Sequence, residues 1–352
     1  VEKSGLPRYK VCGCCLSSRS LATLRNCGLA SIIEPFDAPT ISSLLSATKS
    51  RRLTLPVPQF RSLSRDGFDI ALVAAAISAG ASCLPSTAAK VLPSSNQATA
   101  LTVELGTKHA LLSVESQVVV VADGLGGTAL SAFPQLSAKI SRNSKVGIGA
   151  LSRQHGSYYQ SGTIYMACGE SGYVGLVKLE DGSTDIAAAL NAEYLRAFAA
   201  PSQAIEILLR QCQFDSPSDL HQLSFKGTVP LTRHREQVSS HRLFITGDAA
   251  AYVEPFTGEG IAWALESAVH LAPLVVKAAA AWDESYIWRW QHIHRRTIKS
   301  RQSPTKIVAA LLASPFLAQT AIDTINAIPG LDWLVSQSIS GSPTQERLCL
   351  PS

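Results

Sequence analysis

The chain has 352 residues, 46% of them hydrophobic and 16% charged, with a formal net charge of +5, which is enough for a large core spread over one or two domains. So mild a positive charge, with no basic patch interleaved with aromatics, excludes nucleic acid as a partner. The eight cysteines hold one Cys-x-x-Cys spacing, Cys12 to Cys15, without the second ligand pair of a structural zinc site, which argues against a metal, and most of the others are scattered in the manner of buried thiols in a reducing, cytoplasmic compartment.

In chain order, Val1-Glu2-Lys3 leads into Pro7-Arg8-Tyr9-Lys10-Val11-Cys12-Gly13. An acid that closes the second strand of a dinucleotide-binding fold binds ribose hydroxyls about twenty residues after a glycine fingerprint, and Glu2 fits that acid. The spacing of Ser18 to Cys27 predicts a helix stopped by Gly28. Residues 44–58 alternate and read as strands leaving a cofactor domain. Residues 66–81 read as an amphipathic helix capped by Asp66 and ended by Gly80. Gln117 to Ala122 is an apolar strand whose four successive valines predict full burial, and it runs into Asp123-Gly124-Leu125-Gly126-Gly127.

Between residues 131 and 230, short alternating runs at 145–151, 162–168 and 172–179 with glycine turns predict an antiparallel sheet. Residues 184–199 and 202–211 read as helices over it. Arg233, His234 and Arg235 form a basic stretch, either solvated or placed to receive an acidic or phosphate group. Arg242 to Thr246 has the composition of a central strand, and Gly247-Asp248-Ala249 follows at its carboxyl end, where open α/β sheets bind ligands. Pro255, Gly258 and Gly260 then lead into an apolar helix from Ile261 to Val269, whose free N–H groups and dipole suit an electron-rich ring edge. Residues 282–301 read as a helix with one basic face. Residues 304–340 read as apolar helices that either close a pocket or make peripheral contact with a membrane, and the run at 307–313 is too short to span one.

The wording Gly247-Asp248-Ala249-Ala250, then Pro255-Phe256-Thr257-Gly258-Glu259-Gly260-Ile261, resembles the second FAD motif of the p-hydroxybenzoate hydroxylase superfamily, and within it the geranylgeranyl reductase branch. The resemblance implies that Asp248 accepts a hydrogen bond from the ribityl chain and that the backbone of Pro255 to Ile261 covers the pyrimidine edge of the flavin. Asp123-Gly124 is similar to the internal motif that lies near the pyrophosphate, although Gly127 and Leu130 stand where that motif has a serine and an arginine. The stretch Pro7 to Gly13 resembles a segment whose backbone and basic side chains, Arg8 and Lys10, follow the cofactor. Cys12 then lies close to the flavin, either packing on the ring or forming a redox couple with Cys14 or Cys15. Tyr173 and Gly175 fall on the strand that carries a Tyr-x-Trp motif at the lipid pocket of geranylgeranyl reductases. With glycine in place of the tryptophan, a wall of the substrate pocket is removed.

The expected fold class is α/β: a Rossmann-like FAD/NAD(P)-binding domain from 1–43, 62–130 and 236–275, an inserted antiparallel substrate domain from 44–61 and 131–235, and a helical region from 276–352. No GxGxxG with its strand and helix occurs in the chain, so the first β-α unit is expected to be missing and FAD to bind weakly. The reading that follows is an FAD-dependent oxidoreductase of the geranylgeranyl reductase-like branch, with NAD(P)H as electron donor, passing hydride to a small apolar substrate of prenyl, polyketide or quinone type. An NAD(P)H-dependent monooxygenase and a degenerate, non-catalytic flavoprotein are the alternatives. Trp288-Arg289-Trp290 lacks the Ile-Pro and the placement of a halogenase Trp-x-Trp-x-Ile-Pro motif, so halogenation is set aside.

Overall fold

The computed structural model describes residues 1–154, 158–254, 258–302 and 315–340. Runs of small and branched apolar residues build one large sheet. Its strands are β1 (Cys15–Leu16), β2 (Thr40–Ala47), β3 (Arg52–Ser62), β9 (Val146–Ser152), β10 (Thr163–Gly169), β11 (Gly172–Lys178), β12 (Thr184–Leu190) and β13 (Lys226–Pro230). The spatial order is β1-β3-β2-β10-β11-β12-β9-β13, eight strands in all. Every pairing is antiparallel except β10 with β2.

The expected helix over residues 184–199 is corrected by the structure. Thr184 to Leu190 is strand β12, and only Ala192–Arg196 (α3) is helical. Thr-Asp-Ile-Ala-Ala-Ala-Leu is rich in the best helix former, but this segment lies between β11 and β9 with a continuous ladder on each side, and burial in a sheet overrides local propensity. Pro201–Gln211 (α4) is a helix as its spacing predicts. It buries Ala204, Ile205, Leu208 and Leu209 against the sheet face that holds Ala167, Val174, Ile186 and Ala188.

A second, three-stranded sheet is formed by β15 (Ser239–Ser240), β16 (Leu243–Ile245) and β7 (Val119–Val121). Strand β16 is fully buried, whereas Val120 of β7 is 41% exposed. The valine run is therefore an edge strand among the described residues and not the doubly buried one its composition predicts, because β16 is the partner it has. An antiparallel meander of β4 (Ala88–Val91), β5 (Leu101–Gly106) and β6 (Leu111–Ser116) precedes it, and β8 (Lys139–Ile140), β14 (Arg233–His234) and β17 (Ala251–Tyr252) form a short linking sheet.

Helix α1 (Ser18–Asn26) starts at Ser17, whose hydroxyl accepts from the Ser20 N–H, and ends before Gly28 at φ +70°, as its sequence predicts. Helix α2 (Arg65–Ser78) is capped two residues earlier than expected. Ser64 occupies the cap position in place of Asp66, and Glu180 accepts from both the N–H and the hydroxyl of Ser64. Helix α5 (Gly260–Ala280) has the length and apolarity to cross a bilayer, but it buries Ala262, Trp263, Ser267, Leu271 and Ala278 inside the protein and packs on α1. Helix α6 (Ser285–Ile293) passes into a π-helical turn, His294–Lys299, and fully buries Trp290 while leaving Trp288 exposed. Helices α7 (Pro315–Ala327) and α8 (Leu331–Ser340) lie on β3, with Ile322 in the core beneath them. The apolar run at 307–313 lies outside the described residues.

Candidate active site

Strand β7 pairs in parallel with β16, Val121 opposite Ile245, so the two strand ends that carry Asp123 and Gly247-Asp248 open side by side. More than a hundred residues separate them in sequence. After β16 the chain turns through Gly247, at φ +58°, and after β7 through Gly124, at φ +72°. Positive φ of this size is inexpensive only for glycine. Gly127 has a second reason: a Cβ there would stand 1.9 Å from the Asp123 carboxyl carbon. The departure from the expected serine is thus matched by an aspartate folded back over the turn, where it accepts from the Ala129 N–H at 3.0 Å.

One cavity of about 340 Å³ opens between this turn region and the large sheet. Cys12, Gly13, Asp248, Gly258, Gly260 and Ile261 line one side, and Tyr173 and Gly175 the other. Gly247 and Ala249 frame Asp248 from behind. Lys10 stands one step back, paired at 2.5 Å with Asp69, which does reach the wall. Asp123 and Gly124 stay off the wall and contribute through the neighbouring Leu125. Glu2 and Arg8 are not brought to the cavity. Their ionic atoms lie 3.5 Å from each other, and the Glu2 backbone is bonded to Leu84 and Thr87. Pro255, with Phe256 and Thr257, lies outside the described residues.

The two sides have different chemistry. On the turn side, Glu259 precedes α5 without a side-chain cap, so the first N–H groups of a 21-residue helix beside the cavity lack a side-chain partner. Gly258, at φ +69°, would have a Cβ only 3.6 Å from that of Cys15. A bare backbone edge at a helix N-terminus beside a largely apolar hollow fits the ring end of a flavin. Asp248 would hold its polar chain there, and Gly258, Gly260 and Ile261 its edge. Burial pushes the Asp248 carboxyl up to about 6, with Arg65 opposing.

Arg65 and Asp69 were not assigned to the site from sequence, although their i,i+4 spacing on α2 is a readable pairing signal. The guanidinium donates to Asp69 at 2.9 Å and faces the cavity. Burial favours the neutral form of Asp69, but Arg65 and Lys10 outweigh it and hold the carboxyl low. The Cys14 thiol and then Arg65 draw the Cys12 thiol well below its ordinary range, while Cys14 itself is pushed up by Cys12 and burial. The seven described cysteines are all free thiols.

On the sheet side, three cross-strand rows form the floor. Tyr173, Ala189 and Gly147 make the first, Gly175, Ala187 and Gly149 the second, and Val177, Asp185 and Leu151 the third. In the middle row Gly175 and Ala187 line the cavity with a single methyl group between them, while Gly149 is covered by Tyr9 and Val11. A Cβ at 175 would meet the Met166 sulfur at 3.0 Å, so the wall removed by glycine is rebuilt in part by methionine from the next strand. Tyr173 is buried in that wall.

Arg233 and Arg235 are half-buried and turned toward backbone carbonyls. Arg233 donates to the Leu125 carbonyl at 2.7 Å, and Arg235 donates to the carbonyls of Ala249, at 2.7 Å, and Leu136. They tie the turn after β7 to the turn after β16.

No protein-family model matches the chain, and no curated protein sequence matches it. Solved structures do. The chain is similar to a flavoprotein/dehydrogenase from Cytophaga hutchinsonii, at 12% identity and TM-score 0.76, over 97% of this chain and 85% of that one. It is similar to the flavin-dependent halogenase CmlS, at 20% identity and TM-score 0.71, over 85% of this chain, and it spans 57% of the length of CmlS. It is also similar to the anhydrotetracycline hydroxylase OxyS from Streptomyces rimosus, at 17% identity and TM-score 0.71, over 97% of this chain and 70% of that one. The fold is the FAD-binding, Rossmann-like fold of these flavoproteins, with its large curled sheet.

Proposed function

We propose that the protein is a cytoplasmic FAD-dependent oxidoreductase that acts on a small apolar substrate in the cavity between the flavin cradle and the sheet. The observation that carries this reading is the convergence of Cys12, Gly13, Asp248, Gly258, Gly260 and Ile261 on a single hollow whose opposite wall is the floor of β11 and β12. FAD supplies hydride transfer or oxygen activation once reduced, and the protein supplies orientation, electrostatics and exclusion of water. Asp248 would hold the ribityl chain, the α5 N-terminus would stabilise negative charge on the ring edge, and the apolar floor would bind substrate.

Hydroxylation driven by NAD(P)H is supported by the hydroxylase among the structures that share the fold. Reduction of a C=C bond is supported by the wording of Gly247 to Ala264. The absence of a tryptophan from β11 and the Met166 sulfur beside Gly175 weigh against a wide prenyl slot.

Flavin binding tests the common part. Because the described contacts hold the ring and its polar chain, riboflavin and FAD should be quenched alike by the protein, and Asp248→Leu should weaken both roughly tenfold. No quenching by either flavin would sink the reading in favour of a non-catalytic protein. Oxygen uptake with NADPH and a phenol or quinone then separates the branches, since a reductase consumes no stoichiometric oxygen.

A further inference from the structure

Asp185 is the feature the flavin reading leaves unused. It is the second residue of β12, between Val177 of β11 and Leu151 of β9, on an interior strand of the eight-stranded sheet. The residue is 1% exposed, yet it belongs to the cavity wall. Neither carboxyl oxygen meets hydrogen-bond geometry with a partner among the described residues, and its polar neighbours are Tyr9 and Cys14. A buried, unpartnered carboxyl in a strand otherwise made of Ile, Ala and Leu is costly and calls for a partner.

The surroundings define that partner. Asp185 stands beside the Gly175-Ala187 pair, a stretch of cavity wall with little side chain that suits a flat apolar body. The segment Tyr9 to Cys12 crosses over the same strands, since a Cβ at Gly149 would meet the Tyr9 hydroxyl at 2.6 Å and Val11 at 3.2 Å. The Tyr9 hydroxyl is buried, unpartnered and close to Asp185. Burial, then the neighbouring Cys12, pushes the Asp185 carboxyl well up, and burial with Asp185 does the same to Tyr9. Asp185, which lines the cavity, is thereby held as an O–H donor, and the Tyr9 hydroxyl faces it from behind the wall. A tyrosine beside a protonated aspartate in an apolar site is a known arrangement for holding a carbonyl or phenolic oxygen.

We propose that Asp185, with Tyr9 beside it, is the polar anchor of the substrate subsite and selects flat apolar molecules that carry a ring hydroxyl or a conjugated carbonyl at one edge. This deepens the oxidoreductase reading by naming its substrate class, and it rests on that reading for the word substrate. It favours phenol- or quinone-like molecules over a plain prenyl chain, whose hydrocarbon end would leave both oxygens unpaired.

The test compares 2-naphthol with 2-methylnaphthalene, two probes of similar shape of which only one carries an oxygen, by titration against the full chain with no flavin added. The wild type should prefer 2-naphthol roughly tenfold beyond the ratio expected from solubility. In Asp185→Leu that preference should fall to within about twofold while 2-methylnaphthalene binds at least as well, with Asp185→Asn between. Because the leucine removes a buried unpaired polar group, its melting temperature should rise by roughly 2–6 °C, which a structural carboxyl would not allow. An unchanged probe preference in Asp185→Leu, binding of neither probe by the wild type, or a lowered melting temperature in both variants would overturn the proposal. Riboflavin quenching, measured on the same samples, reports separately on the flavin cradle. Quenching without a role for Asp185 refutes only the subsite, and a role for Asp185 without quenching refutes only the flavin.

Discussion

Val121 and Ile245 face each other in parallel register, and this one pairing sets the turn carrying Asp123 beside the turn carrying Asp248. Parallel neighbours share the direction of their carboxyl ends, so two motifs distant in sequence must open toward one space. Arg233 and Arg235 lock the turns together by donating to the carbonyls of Leu125, Leu136 and Ala249.

Removing that lock should be costly. Arg235→Ala leaves two inward-facing carbonyls without their donor and is expected to lower stability by about 2–3 kcal/mol. Arg235→Lys should rescue little of it, because a single ammonium cannot reproduce the planar fork. Urea midpoints of the three proteins check this. Equal midpoints for wild type and Arg235→Ala would remove the lock from the account.

Gly127→Ser restores the residue expected in this turn, yet it should destabilise the protein. Its Cβ would collide with the Asp123 carboxyl, at 1.9 Å, and the flexible carboxylate would swing away and lose the Ala129 N–H. The expected cost is about 1 kcal/mol. Since both changes break one interaction, Gly127→Ser together with Asp123→Ala should cost no more than either alone. Additive losses in a double-mutant cycle would contradict the geometry.

Glu259 and Asp248 should each stabilise the fold increasingly as the pH falls from 7 toward 5, in opposition to Cys12 and His294, whose lowered values act the other way. Burial raises the Glu259 carboxyl to about 7 against the pull of Arg19, whose guanidinium lies 3.2 Å away, with Glu266, Arg301 and Ser17 also facing it. Asp248 is raised to about 6. A carboxyl with a higher pKa folded than unfolded binds more protons in the native state, so between the two values stability declines as the pH rises. The slope is up to about 1.4 kcal/mol per pH unit for each group. Glu259→Gln should flatten the upper part of the curve in thermal melts from pH 5 to 8, and an unchanged slope would refute the assignment.

Cys12 should react as a thiolate in mildly acidic solution. Iodoacetamide at pH 6 is expected to label Cys12 at the cavity wall and spare Cys14, Cys15 and Cys168, whose thiols are pushed up. Arg65→Leu should slow the labelling at that pH, roughly tenfold for each unit by which the Cys12 pKa rises, and riboflavin should protect the thiol. Mass mapping of the labelled peptides decides the point. Labelling of Cys12 only in alkali would show that Arg65 does not activate it.

Much of the frame is written locally. Ser17 and Gly28 bracket α1 by short-range hydrogen bonding and backbone conformation. The run Leu243 to Ile245 declares a core strand, and Gly247 and Gly124 mark the turns that need positive φ. Each of these signals acts within a few residues, which is why the turn side of the cavity, where Cys12, Gly13, Asp248, Gly258, Gly260 and Ile261 meet, was readable from the chain alone.

The substrate side was decided by contacts far apart in sequence. Thr184 to Leu190 spells a helix until β11 and β9 bury it between them, and with that change Asp185 moves from a helix surface to the wall of the cavity. Val120 loses its expected cover because β7 is an edge strand, and the basic run 233–235 turns inward because carbonyls more than ten residues away on either side lack donors. Sequence therefore determined where the backbone turns at the ends of β7 and β16. Tertiary structure alone decided which side chains look into the hollow, because which way a strand residue faces depends on its register with partners that local propensity does not see.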